Sequence, residues 1–194
     1  ISGVREAVEA VVAQFEADGV RTRPLITSHA FHSHLMEPIL DEFEQVAASV
    51  QQSAPKLTVI SNVTGRPLAA DAPPSATYWR NHVRSAVRFA DAIEYLAEIG
   101  CTTFVEIGPN PTLLGMARRC LPDLAGLWLP SVRKGQDAWR QMRQSVAQLY
   151  VHGATVDWLT IYPLASARRI ELPTYPFQRQ RYWIERTVEK EETA

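Results

Sequence analysis

Three of the chain's five histidines stand within six residues, in Ser28-His29-Ala30-Phe31-His32-Ser33-His34. Imidazole titrates near neutral pH, so a histidine here can take a proton from a hydroxyl nucleophile and return it to a leaving group. It can also bind zinc, and His32 and His34 with Glu37 or Asp41 are of the right ligand types. The spacing, however, lacks the i, i+4 geometry of a helical pair and has no matching distant ligand set. Nucleic-acid binding is a weaker reading. The chain has 20 Lys+Arg against 21 Asp+Glu, a formal net charge of -1, and no clustered excess of cations to neutralise phosphates. Loop histidines satisfied by backbone hydrogen bonds remain the plain alternative. The residues alone leave that reading open beside the general base.

The cluster falls where a strand gives way to a helix. Val4, Val8, Val11, Val12 and Phe15 predict a helix ending near Asp18, with Gly19 placed for a left-handed cap. Arg21 to Thr27 then alternates toward Leu25-Ile26 as a strand candidate. Met36, Leu40, Phe43, Val46, Ala47 and Val50 predict a helix from about Ser33 to Gln51, with Pro38 near its first turn. Leu57 to Ile60 reads as a strand ended by the turn Asn62-Val63-Thr64-Gly65, and Asp71 to Ser75 as a loop. A helix from Phe89 to Ile99 closes at Gly100. A buried strand from Thr102 to Ile107, the rigid loop Gly108-Pro109-Asn110-Pro111 and a helix from Thr112 to Leu121 follow. Strands alternating with helices point to an α/β sheet with parallel neighbours. Ligands gather outside the carboxyl ends of such strands, which is where the histidines lie.

Further on, Trp128 to Val132 reads as a strand and Asp137 to His152 as an amphipathic helix ending at Gly153. Pro163 to Trp183 is rich in Pro, Arg and aromatics and reads as a segment lying extended over a surface. Glu189 to Glu192 reads as a solvated tail. The 194 residues, 46% of them hydrophobic and 21% charged, exclude disorder, collagen-like sequence and coiled coil. No apolar run approaches bilayer length. The opening Ile1-Ser2-Gly3 has neither an initiator Met nor a signal pattern, as expected of a piece of something longer. Cys101 and Cys120 read as small buried apolar residues, and the compartment as cytoplasmic. No GxGxxG or P-loop pattern occurs, so Gly108 to Pro111 reads as a tight connection and not as a phosphate cradle.

Five ordered motifs carry a resemblance. They are Ser28-His29-Ala30-Phe31-His32-Ser33 with Leu35-Met36-Glu37-Pro38, and Ile60-Ser61-Asn62-Val63-Thr64-Gly65. Tyr78-Trp79 with Val83-Arg84 and Val87-Arg88-Phe89 follows, then Phe104-Val105-Glu106-Ile107-Gly108-Pro109 with Leu113-Leu114. The last is Leu172-Pro173-Thr174-Tyr175-Pro176-Phe177-Gln178-Arg179, ending at Arg181-Tyr182-Trp183. Together they resemble the C-terminal part of the acyltransferase domain of modular type I polyketide synthases, with the linker that follows it.

The resemblance implies an α/β fold. Residues 1–27 would be the end of a ferredoxin-like small subdomain and 28–122 the C-terminal part of an α/β hydrolase-like large subdomain. Residues 123–186 would be an extended post-acyltransferase linker and 187–194 a tail. It implies transfer of malonyl from malonyl-CoA, through an acyl-serine, to the phosphopantetheine thiol of an acyl carrier protein, with no permanently bound cofactor and no metal. His32 would be the general base, and the backbone carbonyl of Arg88 would fix its tautomer. His29, Ala30 and Phe31 would select the extender unit, the Phe ring filling the space an α-methyl group needs. His34 would be a surface residue at a helix start. The serine, in a GHSxG elbow, matches no serine here: neither Ser61 nor Ser131 has that setting. The upstream half of the domain is therefore an expected partner, beside the acyl carrier protein and a ketosynthase met through the linker, with no nucleic acid and no membrane. Another extender unit, methylmalonyl or an oxygenated malonyl, is the alternative within enzymes. A non-catalytic docking element is the alternative outside them.

Overall fold

The first helix, α1 (Arg5–Ala17), forms where the valine stripe predicts it and stops at Gly19, whose φ of 76° only glycine adopts freely. None of its residues is buried. The computed structural model to which it belongs describes residues 1–25, 27–162 and 170–183. Packing divides the chain into a unit from Ile1 to Gly153 and another from Ala154 to Ala194. The strand expected over 21–27 is absent from its described residues: 21–25 and 27 are irregular and Leu25 is exposed, while Ile26 lies outside the description. A strand needs a ladder beside it, and none of the described chain offers one here.

The helix expected from Ser33 to Gln51 is two elements. Residues His34–Ile39 form 3₁₀ turns and α2 follows over Leu40–Ser49. Pro38 has no N–H to give to the carbonyl four residues back, so the α-helical ladder cannot run through it. The tighter 3₁₀ bonding takes over, with Met36 N donating to Ser33 O at 3.2 Å. Met36 and Leu40 are buried and anchor the segment.

Leu57–Ile60 also departs from expectation. Instead of a parallel strand, the chain folds back on itself in an antiparallel bridge between Ile60 and Pro67. Ser61 N donates to Arg66 O and Leu68 N to Val59 O, both at 2.8 Å. Gly65 closes this turn at φ 68°, so near the next helix that a Cβ would stand 2.6 Å from Asp91 Cβ.

The segment carrying Tyr78-Trp79 is a helix that the periodicity reading passed over. This is α3 (Ala76–Arg84), capped by Ser75, whose Oγ accepts from Tyr78 N at 3.0 Å. It packs on α2. Trp79 Nε1 donates to Gln52 Oε1 at 2.8 Å, Arg80 pairs with Asp41 and Glu44, and Arg84 pairs with Glu37 at 3.0 Å. Pairs so close to solvent are screened and add little to stability; what they fix is the register of α3 against the segment that carries the histidines.

The α/β part follows. Helix α4 (Phe89–Glu98) buries Ala92 and Ile93 and ends before Gly100. Strand β1 (Thr103–Glu106), helix α5 (Thr112–Cys120) and strand β2 (Leu127–Pro130) form one parallel βαβ unit. Phe104 lies opposite Trp128, and their rings stack with centroids 4.4 Å apart and planes 10° apart. The strand predicted as buried is in fact half-covered, with Val105 48% exposed, because β1 has one neighbouring strand among the described residues. Helix α6 (Ala138–Val151) packs on β2 through two buried polar side chains. Ser145 Oγ donates to Pro130 O at 2.7 Å, and Gln141 Nε2 bonds Ser145 Oγ at 3.3 Å. Thus β2 and α6 pack with the unit that precedes Gly153.

In the second unit, α7 (Trp158–Ile161) is capped by Asp157, which accepts from Leu159 N, Thr160 N and the Thr160 hydroxyl. These bonds, the hydroxyl first, hold its carboxyl below the usual range. Residues 170–183 form neither helix nor strand, and their aromatic side chains are exposed. The expected tail at 189–192 lies outside the described residues, as do 163–169 of the expected extended segment.

Candidate active site

His32 stands out before any role is considered. It is the one non-glycine residue with positive φ among the described residues, at 62°. That conformation costs an L-residue roughly 1–2 kcal/mol, so the surroundings must over-determine it. They do so from two sides. Behind it, buried Ser33 caps the 3₁₀ turns, its Oγ accepting from Leu35 N and donating to Ala30 O at 2.7 Å. In front, His32 N donates to Val83 O at 3.0 Å, and Nδ1 lies 2.8 Å from Ser85 O. Both carbonyls belong to the C-terminal end of α3, where a helix has carbonyls without intrahelical partners.

A carbonyl can only accept, so Nδ1 carries the proton of the neutral ring and Nε2 holds the lone pair. This corrects one expectation: the carbonyl on His32 is that of Ser85, not of Arg88. Arg88 is the N-cap of α4, and its carbonyl already accepts from Ala92 N at 3.1 Å. Its own N–H donates to Asn62 O at 2.8 Å, and its side chain pairs with Asp91. Ser85, by contrast, caps α3 in an extended conformation that turns its carbonyl out of the helix.

The remaining residues of the cluster lie at the surface. His29 Nδ1 is 2.9 Å from Ser28 Oγ, and its ring meets Phe31 edge-on at 5.9 Å. Ala30 is half-buried, Phe31 is 47% exposed and His34 is exposed. Glu37 and Asp41, weighed above as metal ligands, are engaged by Arg84 and Arg80. No group of three His, Cys, Asp or Glu is placed to hold a metal ion among the described residues. Ser61, 1% exposed, spends its Oγ on Val63 N and Thr64 N, and Ser131 Oγ is bound to Gly108 N and O. Both are turn-builders. The Gly108–Pro111 loop is likewise committed: Glu106 places one oxygen on Leu113 N at 3.1 Å and the other on Leu114 N at 2.8 Å. A carboxylate thus occupies the helix N-terminus a phosphate would need.

One residue beside His32 escaped the sequence reading. His82 lies on α3 with its ring 5.9 Å from that of His32, edge-to-face at 82°. Its Nε2 is 3.1 Å from Asn62 Nδ2, and Tyr78 and Trp79 flank it. Burial, and after it the charge His32 can carry, pull its pKa below the ordinary imidazole value. The signal that could have found it was the amphipathic spacing of Tyr78, Trp79, His82 and Val83, which declares a helix with one face toward the cluster.

A histidine held in a left-handed conformation by carbonyls at the end of a neighbouring helix marks the candidate site, and comparison with known proteins gives the family. The family model described as acyl transferase domain matches residues 1–156. Mycoketide-CoA synthase of Mycobacterium tuberculosis is 45% identical over 184 residues, covering 95% of this chain and 4% of that protein. Polyketide synthase GfsA of Streptomyces halstedii is 43% identical, covering 95% and 2%. Among solved structures, the acyltransferase domain from the second module of the salinomycin polyketide synthase matches with TM-score 0.78 and 43% identity, over 90% of this chain and 41% of that one. A malonyl CoA-acyl carrier protein transacylase from Clostridium perfringens shares the fold at TM-score 0.64 and 23% identity, over 75% and 44%. The chain belongs to the acyl transferase domain family, as a segment of a type I polyketide synthase acyltransferase domain. It spans less than half of the solved domains it matches and a few per cent of these two synthases.

No helix among the described residues is long and apolar enough to cross a membrane.

Proposed function

We propose that the chain supplies the histidine half of a Ser–His acyltransferase that moves malonyl from CoA to the phosphopantetheine thiol of an acyl carrier protein. The observation that carries this reading is the Nδ1 contact to Ser85 O. It leaves Nε2 as the acceptor, which is the form a base needs. His32 takes the proton of a serine hydroxyl brought by the upstream half of the domain as that oxygen attacks the malonyl thioester. It returns the proton to the departing CoA thiolate, then deprotonates the carrier thiol that attacks the acyl-serine and gives that proton to the serine oxygen as the acyl group leaves it. The imidazolium formed at each step keeps its Nδ1–H on Ser85 O, so neither the proton nor the ring needs relocating.

Malonyl is favoured over methylmalonyl in this reading, which gives the Phe31 ring, edge-on to His29, the space an α-methyl group would need. One methyl is worth about 1–3 kcal/mol of discrimination. In the same reading residues 1–27 close a ferredoxin-like small subdomain, 28–122 belong to an α/β hydrolase-like large one, and 123–186 link to a ketosynthase. The setting is cytoplasmic.

The test is single-turnover acylation of the domain completed with its serine-bearing half, followed by mass spectrometry of the loaded carrier. Malonyl is the expected product from a mixed acyl-CoA panel, and His32→Ala lowers acyl-serine formation about 10²–10⁴-fold, the usual worth of a general base. Near-normal acylation in that variant, or a carrier loaded mainly with another unit, overturns the corresponding part of the reading.

A further inference from the structure

His32 is fixed at its backbone and at Nδ1, yet a ring held at one nitrogen can still tilt about that bond. The structure places a wall there. The His82 ring meets the His32 ring edge-to-face at 5.9 Å, and His82 is itself held on three sides. Asn62 Nδ2 lies 3.1 Å from its Nε2, the Trp79 ring stands 5.9 Å away at 71°, and the Tyr78 ring 6.2 Å away. The Asn62 amide N–H can only donate, so His82 Nε2 accepts and the ring is neutral in this arrangement. Asn62 is in turn fixed by its carbonyl, which accepts from Arg88 N. A chain of contacts thus runs from the N-terminus of α4, through the Asn62 turn and His82, to His32.

We propose that His82 is a positioning residue whose aromatic ring, steadied by Asn62 and its ring neighbours, walls the plane of the His32 imidazole so that Nε2 keeps its direction. This rests on the reading of His32 as the base. His82 touches no reacting atom in this role. Its effect belongs in the rate of proton transfer and not in the affinity for acyl-CoA, because a base misdirected by a fraction of an ångström loses rate while the binding surface stays intact.

The experiment uses the domain completed with its serine-bearing half, with malonyl-CoA as the probe and the rate of acyl-serine formation as the readout. Four variants are compared: His32→Ala, His82→Ala, His82→Phe and His82→Gln. Phe keeps the aromatic wall and loses the nitrogen; Gln keeps a partner for Asn62 and loses the wall. His82→Ala is expected to acylate about tenfold more slowly at unchanged KM, with His82→Phe restored to within about threefold of the parent and His82→Gln remaining slow. The proposal is overturned if His82→Ala is within twofold of the parent, if its loss lies in KM, or if Gln restores the rate and Phe does not. Should His82→Ala not fold, the Phe-against-Gln order decides alone. His32→Ala separates the two levels: an active His32→Ala sinks the base assignment itself, whereas an inactive one beside a normal His82→Ala sinks only the wall.

Discussion

Two turns of this molecule lead into helical segments and are built for opposite ends. The turn at Gly108–Pro111 is settled by caps and loop bonds: Glu106 caps α5, while Ser131 and Lys134, from beyond β2, tie down Gly108 and Asn110, the Asn110 Oδ1 accepting from Lys134 N at 3.1 Å. The turn at Ser28–Ser33 is pinned too, by Ser33 and by the end of α3, but it holds a non-glycine residue in a left-handed conformation. The difference teaches where strain is tolerated. A connection that only links two elements has no need of a left-handed non-glycine residue. One that presents a side chain accepts a strained backbone and lets a neighbouring helix hold it in place.

The sharpest way to break this contrast is to remove the side chain while keeping the turn. Asn tolerates the left-handed region, so His32→Asn should leave the urea midpoint of the completed domain within an equivalent of about 1 kcal/mol. Acyl-serine formation should nonetheless fall at least about 100-fold. A large loss of stability would show that His32 serves structure first. Specificity comes next in size. Phe31→Ser should raise the methylmalonyl-to-malonyl ratio on the carrier about tenfold, within the range one methyl can command, and an unchanged ratio would remove Phe31 from the selectivity argument.

The Gly65 turn carries Asn62 toward His82, and Gly65→Ala forces both a left-handed alanine and a Cβ onto Asp91. A loss of about 2 kcal/mol in denaturant unfolding is expected. The linking turn is probed by Glu106→Ala, which should cost about 1–2 kcal/mol through the lost cap. The same variant should keep the acylation rate of the folded fraction; a fallen rate would erase the distinction between the two turns. The smallest effect is in pH. The folded-state pKa of His82 is depressed, so below the ordinary imidazole value of about 6.5 the unfolded chain binds more protons than the folded one and stability falls as pH falls. That contribution is present above this value. His82→Gln should flatten the descent, read as unfolding midpoints from pH 7 down to 5.

The helices α1, α4, α5 and α6 were legible because each carries a periodic apolar stripe with a glycine or a turn at its end. The pieces of the βαβ unit were legible, but their pairing was not: the sequence places the parallel alternation over 57–121 and Trp128–Val132 beyond it, whereas β1 pairs with β2. What escaped depended on partners distant in sequence. The strand expected over 21–27, and that over 57–60, have the right composition, but a strand exists only where a second one lies beside it. Pro38 was correctly placed near a helix start, yet its cost to the hydrogen-bond ladder, and so the 3₁₀ turns, was not drawn. At the site, the resemblance pointed to His32 and to the carbonyl of Arg88, whereas the carbonyl on His32 is that of Ser85. That Ser85 provides the carbonyl follows from where α3 ends and α4 begins, two boundaries that composition blurs. His82 was missed because a lone histidine in a segment read only as a motif has no evident face until the helix is seen.

The stack of Phe104 on Trp128 gives the parallel pair an optical signature. A tryptophan stacked with its plane 10° from parallel to a neighbouring ring sits in a fixed asymmetric field and should contribute near-ultraviolet circular dichroism. The helices dominate the far-ultraviolet signal instead. Parting of β1 from β2 should thus be visible in one band while the other is unchanged, so the βαβ unit carries its own reporter of whether the sheet has closed.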